Sequence, residues 1–123
     1  MRFGLNALLY TASFSTDDLD LIPKIAEIGY DGIELPFIDL DAIDAQATRK
    51  ALEAADLGAT GCAVLVPGTN LLSDEADERA AAVARLKRCV DLAAEMGAEA
   101  VAGPLYAPVS HLTGRERTAA EWD

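Results

Sequence analysis

Basic residues, cysteine, histidine and aromatic rings are all scarce in this chain of 123 residues. Ten Lys and Arg stand against 21 Asp and Glu, a formal charge of −11. That balance argues against binding to nucleic-acid phosphates or anionic lipid surfaces, both of which select for positive charge. The two cysteines, Cys62 and Cys89, make neither a CxxC pair nor a disulfide framework, so reduced thiols and a cytoplasmic setting are expected. No apolar run approaches the roughly 20 residues of a membrane-spanning helix, and the N-terminus lacks a signal-peptide layout. No glycine-rich phosphate loop follows the first apolar stretch, and no nucleophile elbow is present. Asn6-Ala7 stands where a response receiver would need an acid pair. What remains is 51% hydrophobic but only 6% aromatic, which suits an Ala/Leu/Ile-rich α/β domain of ordinary size, residues 1–123, with a core of its own.

Within that composition one ending is written repeatedly. EIGYDGIELP (27–36) is echoed by EMGAEAVAGP (95–104) and, more loosely, by DLGATGCAVLVP (56–67). Gly29, Gly58 and Gly97 each follow a stretch of helical periodicity, where a left-handed residue closes a helix without a Cβ penalty. A short apolar run comes next, as expected of a buried strand, and then Pro36, Pro67 or Pro104, each suited to a strand end because it has no N–H to donate. The repeat reads as helix, tight turn, strand and exit.

The first strand is expected over Phe3 to Leu9. Ser15-Thr16-Asp17-Asp18 carries helix-start signals and predicts a loose turn, with Asp20 as the cap of a first helix that holds Pro23 in its first turn. Leu21, Ile22, Ile25, Ala26 and Ile28 form its apolar stripe. A second helix is predicted over about 42–55, turning Ala47, Ala51, Leu52 and Ala55 inward. A third is predicted over about 74–96, started at Ser73 with acids in its first turn, and presenting Ala82, Val83, Leu86, Cys89, Val90 and Ala93 on one face. The order is strand and helix three times, then a fourth strand, then a helix beginning at Thr118-Ala119-Ala120-Glu121-Trp122.

Strands separated by helices favour a parallel sheet. Two architectures fit: a small doubly wound sheet, or half of an eight-stranded barrel of about 250 residues. Trp122, with no following turns to pack it, favours the interrupted barrel.

Phe3-Gly4-Leu5-Asn6, IGYDGIELP and AGPLYAPV…LTGRERTAAEW together resemble the N-terminal part of the sugar phosphate isomerase/epimerase family, the xylose-isomerase-like TIM barrels that include the D-tagatose/D-psicose 3-epimerases. The resemblance covers the whole chain in order. It implies the first four (β/α) units of a TIM barrel, and a reaction in which two glutamates remove and return a proton beside a ketose carbonyl. A divalent metal, Mn²⁺, Mg²⁺ or Co²⁺, would neutralise the enediolate charge. In that family the metal ligands (two Glu, one Asp and one His) lie in the second half of the barrel, so no residue here inherits a metal or acid–base role. This chain alone is expected to be inactive.

The resemblance carries over a substrate wall for a sugar or sugar phosphate. Asn6 ends the first strand, where the family commonly has an aromatic residue. Glu34 matches a glutamate near the end of the second strand. Cys62 and Ala63 fall where related epimerases have a substrate-contacting cysteine, Gly103 and Pro104 border the fourth strand's end, and Tyr106 could line the site. Plainer roles stand beside these. Glu34 could make a structural hydrogen bond, Cys62 could serve as a small buried hydrophobe, and Tyr106 could close a barrel rim. His111 fits a solvated loop, the acids Asp17, Asp18, Asp74, Glu75, Asp77 and Glu78 fit solvated helix starts, and Arg115 and Arg117 fit salt bridges to neighbouring acids.

Hydroxypyruvate isomerase and inosose dehydratase share the same implied scaffold, and a noncatalytic half-barrel for assembly or small-molecule binding is the alternative of another class. A half-barrel also leaves two strand edges and an inner face open, with Val64, Val66 and Val101 nearby. Association is therefore expected, as a homodimer or with a complementing C-terminal half.

Overall fold

Four short parallel strands are laid side by side in chain order: β1 (Gly4–Asn6), β2 (Gly32–Phe37), β3 (Gly58–Ala63) and β4 (Val101–Ala102). The computed structural model describes residues 1–112, 114–119 and 122. Three helices connect the strands: α1 (Leu21–Ile28), α2 (Ala45–Ala55) and α3 (Ala76–Met96).

Alternation along the strands sorts their side chains into two sets. Leu5, Ile33, Leu35, Phe37, Ala59 and Ala63 are buried in one cluster with Ile22 and Ile25 of α1, Leu52 of α2, and Cys89, Ala93 and Met96 of α3. All three helices therefore cover one face. The other face carries Gly4, Asn6, Gly32, Glu34, Gly58, Thr60 and Cys62, exposed or half-buried. A doubly wound sheet needs helices on both faces and a strand order that reverses from its middle. One covered face and strictly sequential order are instead the N-terminal half of a TIM barrel.

Local chemistry sets where the elements end. Asn6 stops β1 early: its Oδ1 accepts from the Leu8 N–H at 2.8 Å and caps a 3-10 turn over Ala7–Leu9, so the expected longer strand does not form. Ser15 and Asp18 make a reciprocal capping box on a 3-10 turn at Thr16–Asp18. Asp20 precedes α1 without capping it through its side chain, and pairs with Lys24 one turn on. Pro23 lies in the first turn of α1, where its missing N–H costs nothing. α2 begins at Ala45, later than its periodicity suggests, because Asp44 accepts from the Ala47 N–H at 2.9 Å. Its inward face includes Thr48, fully buried with its hydroxyl donating to the Asp44 carbonyl.

The repeated glycine ending holds twice out of three times. Gly29 (φ 103°) and Gly97 (φ 78°) cap α1 and α3 in the left-handed region. α2 is closed by Asp56 instead (φ 50°), a residue whose short polar side chain tolerates that conformation, and Gly58 opens β3. A Cβ at Gly29 would meet nothing within 4 Å, so Gly29→Ala isolates the backbone penalty. Denaturant titration is predicted to show a loss of about 1 kcal/mol, and a gain in stability would contradict the left-handed cap.

The prolines do not all sit outside strands. Pro36 is inside β2, one residue from its end, while Pro67 and Pro104 follow β3 and β4. On α3, Ala82, Cys89 and Ala93 are buried as expected, but Val83 and Val90 are exposed. At helical spacing these valines lie on the flank opposite the one that meets α2. The helix expected from Thr118 includes Ala120 and Glu121, which lie outside the described residues. Among the described residues, no helix is long and apolar enough to cross a membrane.

Candidate functional site

The uncovered sheet face is polar where the strands end. Parallel register places Asn6 beside Glu34, and Glu34 beside Thr60. Cys62 follows Thr60 by two residues and so returns to the same face. The Asn6 Nδ2 donates to a Glu34 carboxylate oxygen, while its Oδ1 is held by the Leu8 N–H. Asn6 thereby presents its amide in a fixed sense. Glu34 is half-buried, and its carboxylate keeps acceptor capacity beyond this one bond.

Burial pushes the Cys62 thiol above its ordinary pKa, the Glu34 charge adds to that, and a hydrogen bond with Asn6 opposes it. The thiol is accordingly a neutral donor at physiological pH and a poor nucleophile. Between the ordinary thiol value and the raised one, an unfolded chain is ionised while folded Cys62 stays protonated. That contribution to stability is lost as pH rises through this window. Alkylation by iodoacetamide should follow a pH profile displaced upward from that of free cysteine, and Glu34→Gln should bring it part of the way back. Cys89, fully buried, should not react in the folded chain. A profile at or below that of free cysteine would contradict the assigned environment.

The other sequence candidates are placed differently. Ala63 is completely buried with its methyl on the helix side, so only its backbone reaches the strand end. Gly103 passes tightly over that backbone: a Cβ there would lie 2.0 Å from the Ala63 carbonyl oxygen. Pro104 is half-buried beside it. Tyr106 has an exposed ring, and its carbonyl accepts from the Leu71 N–H at 3.1 Å, tying the loop after β4 to the loop after β3. His111 meets the buried Asn70 across the same two loops at 3.4 Å. The Arg117 guanidinium lies 4.9 Å from the centre of the Trp122 ring. The structure thus brings Asn6, Glu34 and Cys62 into one group and leaves Tyr106 on the rim.

Two positioning features escape a reading of the sequence alone. Thr60 faces the same side as Glu34, and the alternation Thr60–Cys62 within β3 was the available signal. Arg85 of α3 has no local signal. Its Nε donates to the Val64 carbonyl at 2.9 Å, and its Nη2 donates to those of Phe37 and Ile38 at 2.9 and 2.8 Å. One guanidinium therefore pins the chain just beyond the ends of the two strands that carry Glu34 and Cys62.

Among the described residues, no three His, Cys, Asp or Glu side chains converge as a metal site. Glu34 with Cys62 is an incomplete donor set for the hard divalent ions the resemblance implies.

The family model of xylose isomerase-like TIM barrels matches residues 22–123. The ketose 3-epimerase of Arthrobacter globiformis is 30% identical over 107 residues, 86% of this chain and 37% of its own. A probable ketose 3-epimerase of Synechocystis sp. is 25% identical over 114 residues, 93% of this chain and 40% of its own. Among solved structures, the D-allulose 3-epimerase of Methylomonas sp. superposes with a TM-score of 0.87 at 23% identity, over 95% of this chain and 41% of that one. An L-ribulose 3-epimerase gives 0.85 at 24% identity, over 98% and 41%. The Methylomonas enzyme has also been solved in complex with D-allulose. The chain spans 37% to 41% of the length of these relatives.

Proposed function

Because the chain belongs to the xylose isomerase-like TIM-barrel family, we propose that it supplies the substrate wall of a ketose 3-epimerase-type barrel. The observation that carries this reading is the Asn6–Glu34–Cys62 group. These are an oriented amide, a carboxylate with spare acceptor capacity and a neutral thiol, gathered at the C-terminal strand ends where barrel enzymes do their chemistry. Such a set suits a polyol: Glu34 accepts from hydroxyls, the Cys62 thiol donates weakly, and Asn6 fixes the carboxylate. The backbone at Gly103 and Pro104 and the Tyr106 ring border the same end. The pair of groups that would move the proton, and the ligands of a divalent metal that would supply charge neutralisation beside the carbonyl, would belong to the other half of the barrel. This chain binds and orients, and by itself turns over no ketose.

The test is a chimera in which this chain replaces the matching N-terminal segment of the A. globiformis enzyme, assayed with ketoses and Mn²⁺. Epimerisation is expected. Glu34→Gln in the chimera should lower kcat/KM about tenfold through loss of a charged hydrogen bond. A folded chimera without activity, or one indifferent to Glu34→Gln and Asn6→Leu together, would overturn the reading and favour a noncatalytic module. The free chain should show no turnover in the same assay.

A further inference from the structure

His111 and Asn70 meet where two loops beyond the strand ends are tied together. The loop after β3 and the segment after β4 are joined by a parallel bridge of Leu65 with Pro108, and by the Leu71 N–H donating to the Tyr106 carbonyl. A further tie runs between side chains, the Asn70 Nδ2 and the His111 Nε2 at 3.4 Å. Both residues line a hollow of about 260 Å³ at the start of α3. Asn70 is 5% exposed, and its Oδ1 accepts from the Leu72 N–H at 2.9 Å. That bond settles which way round the amide lies: its NH₂ group, which can only donate, faces the imidazole. The contact is therefore bonding only while Nε2 keeps its lone pair, which requires a neutral ring with its proton on Nδ1. A protonated ring sets N–H against N–H. Turning the amide over would offer Oδ1 to the imidazolium but leave the Leu72 N–H facing a donor. His111 is thus more than the solvated loop residue its sequence context suggests.

We propose that this pair is a pH-sensitive clasp: neutral His111 holds the segment after β4 against the loop after β3, and protonation lets it go. Imidazole changes charge between about pH 8 and about pH 5, and the clasp opens on acidification across that range. The charged ring has another partner within the same hollow. Among the described residues lining it, Glu78 in the first turn of α3 is the one other ionisable side chain, and it draws an imidazolium away from Asn70. Asp74, Glu75 and Asp77 precede Glu78 without lining the hollow, and Arg79 spends its guanidinium on the Ser73 and Asp74 carbonyls. On the segment's own side, Pro108, Val109 and Ser110 carry no charge. Ser110 holds φ at 67°, a left-handed conformation that a non-glycine residue keeps only where its surroundings enforce it. Release of His111 removes one of those constraints. The segment that relaxes carries Tyr106, so the rim beside the strand ends loosens in acid. The clasp rests on loop geometry alone and is independent of the epimerase reading.

His111 is the single histidine of the chain, so its ring nitrogens can be followed by nitrogen-15 NMR without ambiguity. At about pH 8 the ring should be the Nδ1–H tautomer, and an Nε2–H ring would overturn the proposal. Hydrogen exchange at the Leu71 and Leu72 amides, corrected for its intrinsic pH dependence, gives the second readout. Protection there should fall about threefold or more between about pH 8 and about pH 5, in step with titration of the ring. Protection that stays flat across this range would also overturn the clasp. His111→Gln keeps an acceptor for Asn70 but does not titrate, and should abolish the pH response. A Gln variant that responds as the parent does would place the titration elsewhere and sink the idea. Asn70→Asp should reverse the response, because a carboxylate accepts from an imidazolium. A folded Asn70→Asp chain that loosens in acid like the parent would count equally against it. If that variant does not fold, His111→Gln decides alone.

Discussion

Gly103→Ala is expected to remove a large share of the protein's stability at ambient temperature. The residue holds φ at 139°, a conformation side chains rarely adopt, and its Cβ would stand 2.0 Å from the Ala63 carbonyl oxygen and 3.1 Å from the carbonyl carbon. Both obstacles are backbone of the adjacent strand, so no rotamer change relieves them. Strain and overlap together should cost about 3 kcal/mol or more, a large share of the stability of a domain this small. Denaturant titration monitored by circular dichroism measures the effect. A loss below 1 kcal/mol would mean that β4 separates from β3 at little cost, and that the strand-four end does not hold the wall in place.

Arg85→Met is the second large effect. The substitution keeps an apolar stem on α3 but leaves the Phe37, Ile38 and Val64 carbonyls without their donor. Partly buried acceptors stripped of a charged partner should cost roughly 2–4 kcal/mol in total, tempered where water reaches them. Arg85→Lys should recover only part of this, since one ammonium cannot reproduce the guanidinium fork across two strand ends. The structural consequence should be concentrated at the site. Hydrogen exchange at residues 37–38 and 64–66 should accelerate more than exchange in α1. Uniform acceleration across the chain would instead describe a general loss of stability.

Much of the fold was legible because its causes are local or periodic. The three helices, the glycine caps of α1 and α3, and the alternation of strand with helix follow from spacing and from backbone preferences that act within a few residues. Boundaries failed where a side chain competed with the backbone. Asn6 ends β1 by capping the Ala7–Leu9 turn, and Asp44 delays α2. Val83 and Val90 were placed inward because a helical stripe cannot tell which flank has a neighbour. Of the candidate site, Asn6, Glu34 and Cys62 were found, while Thr60 and Arg85 were not. Ala63 belongs to the right strand end but to its other face.

By itself the sequence determined a parallel α/β repeat, its acidic balance and the residue types that gather at the strand ends. These are matters of composition, period and resemblance. Only the tertiary structure decided between an open doubly wound sheet and a half-barrel, because that turns on which sheet face the helices cover and on strand order. Only it paired Asn6 with Glu34, 28 residues apart, and Arg2 with Glu99, 97 apart. Such pairs depend on strand register, set by the packing of the whole sheet against its helices and written in no single stretch of chain.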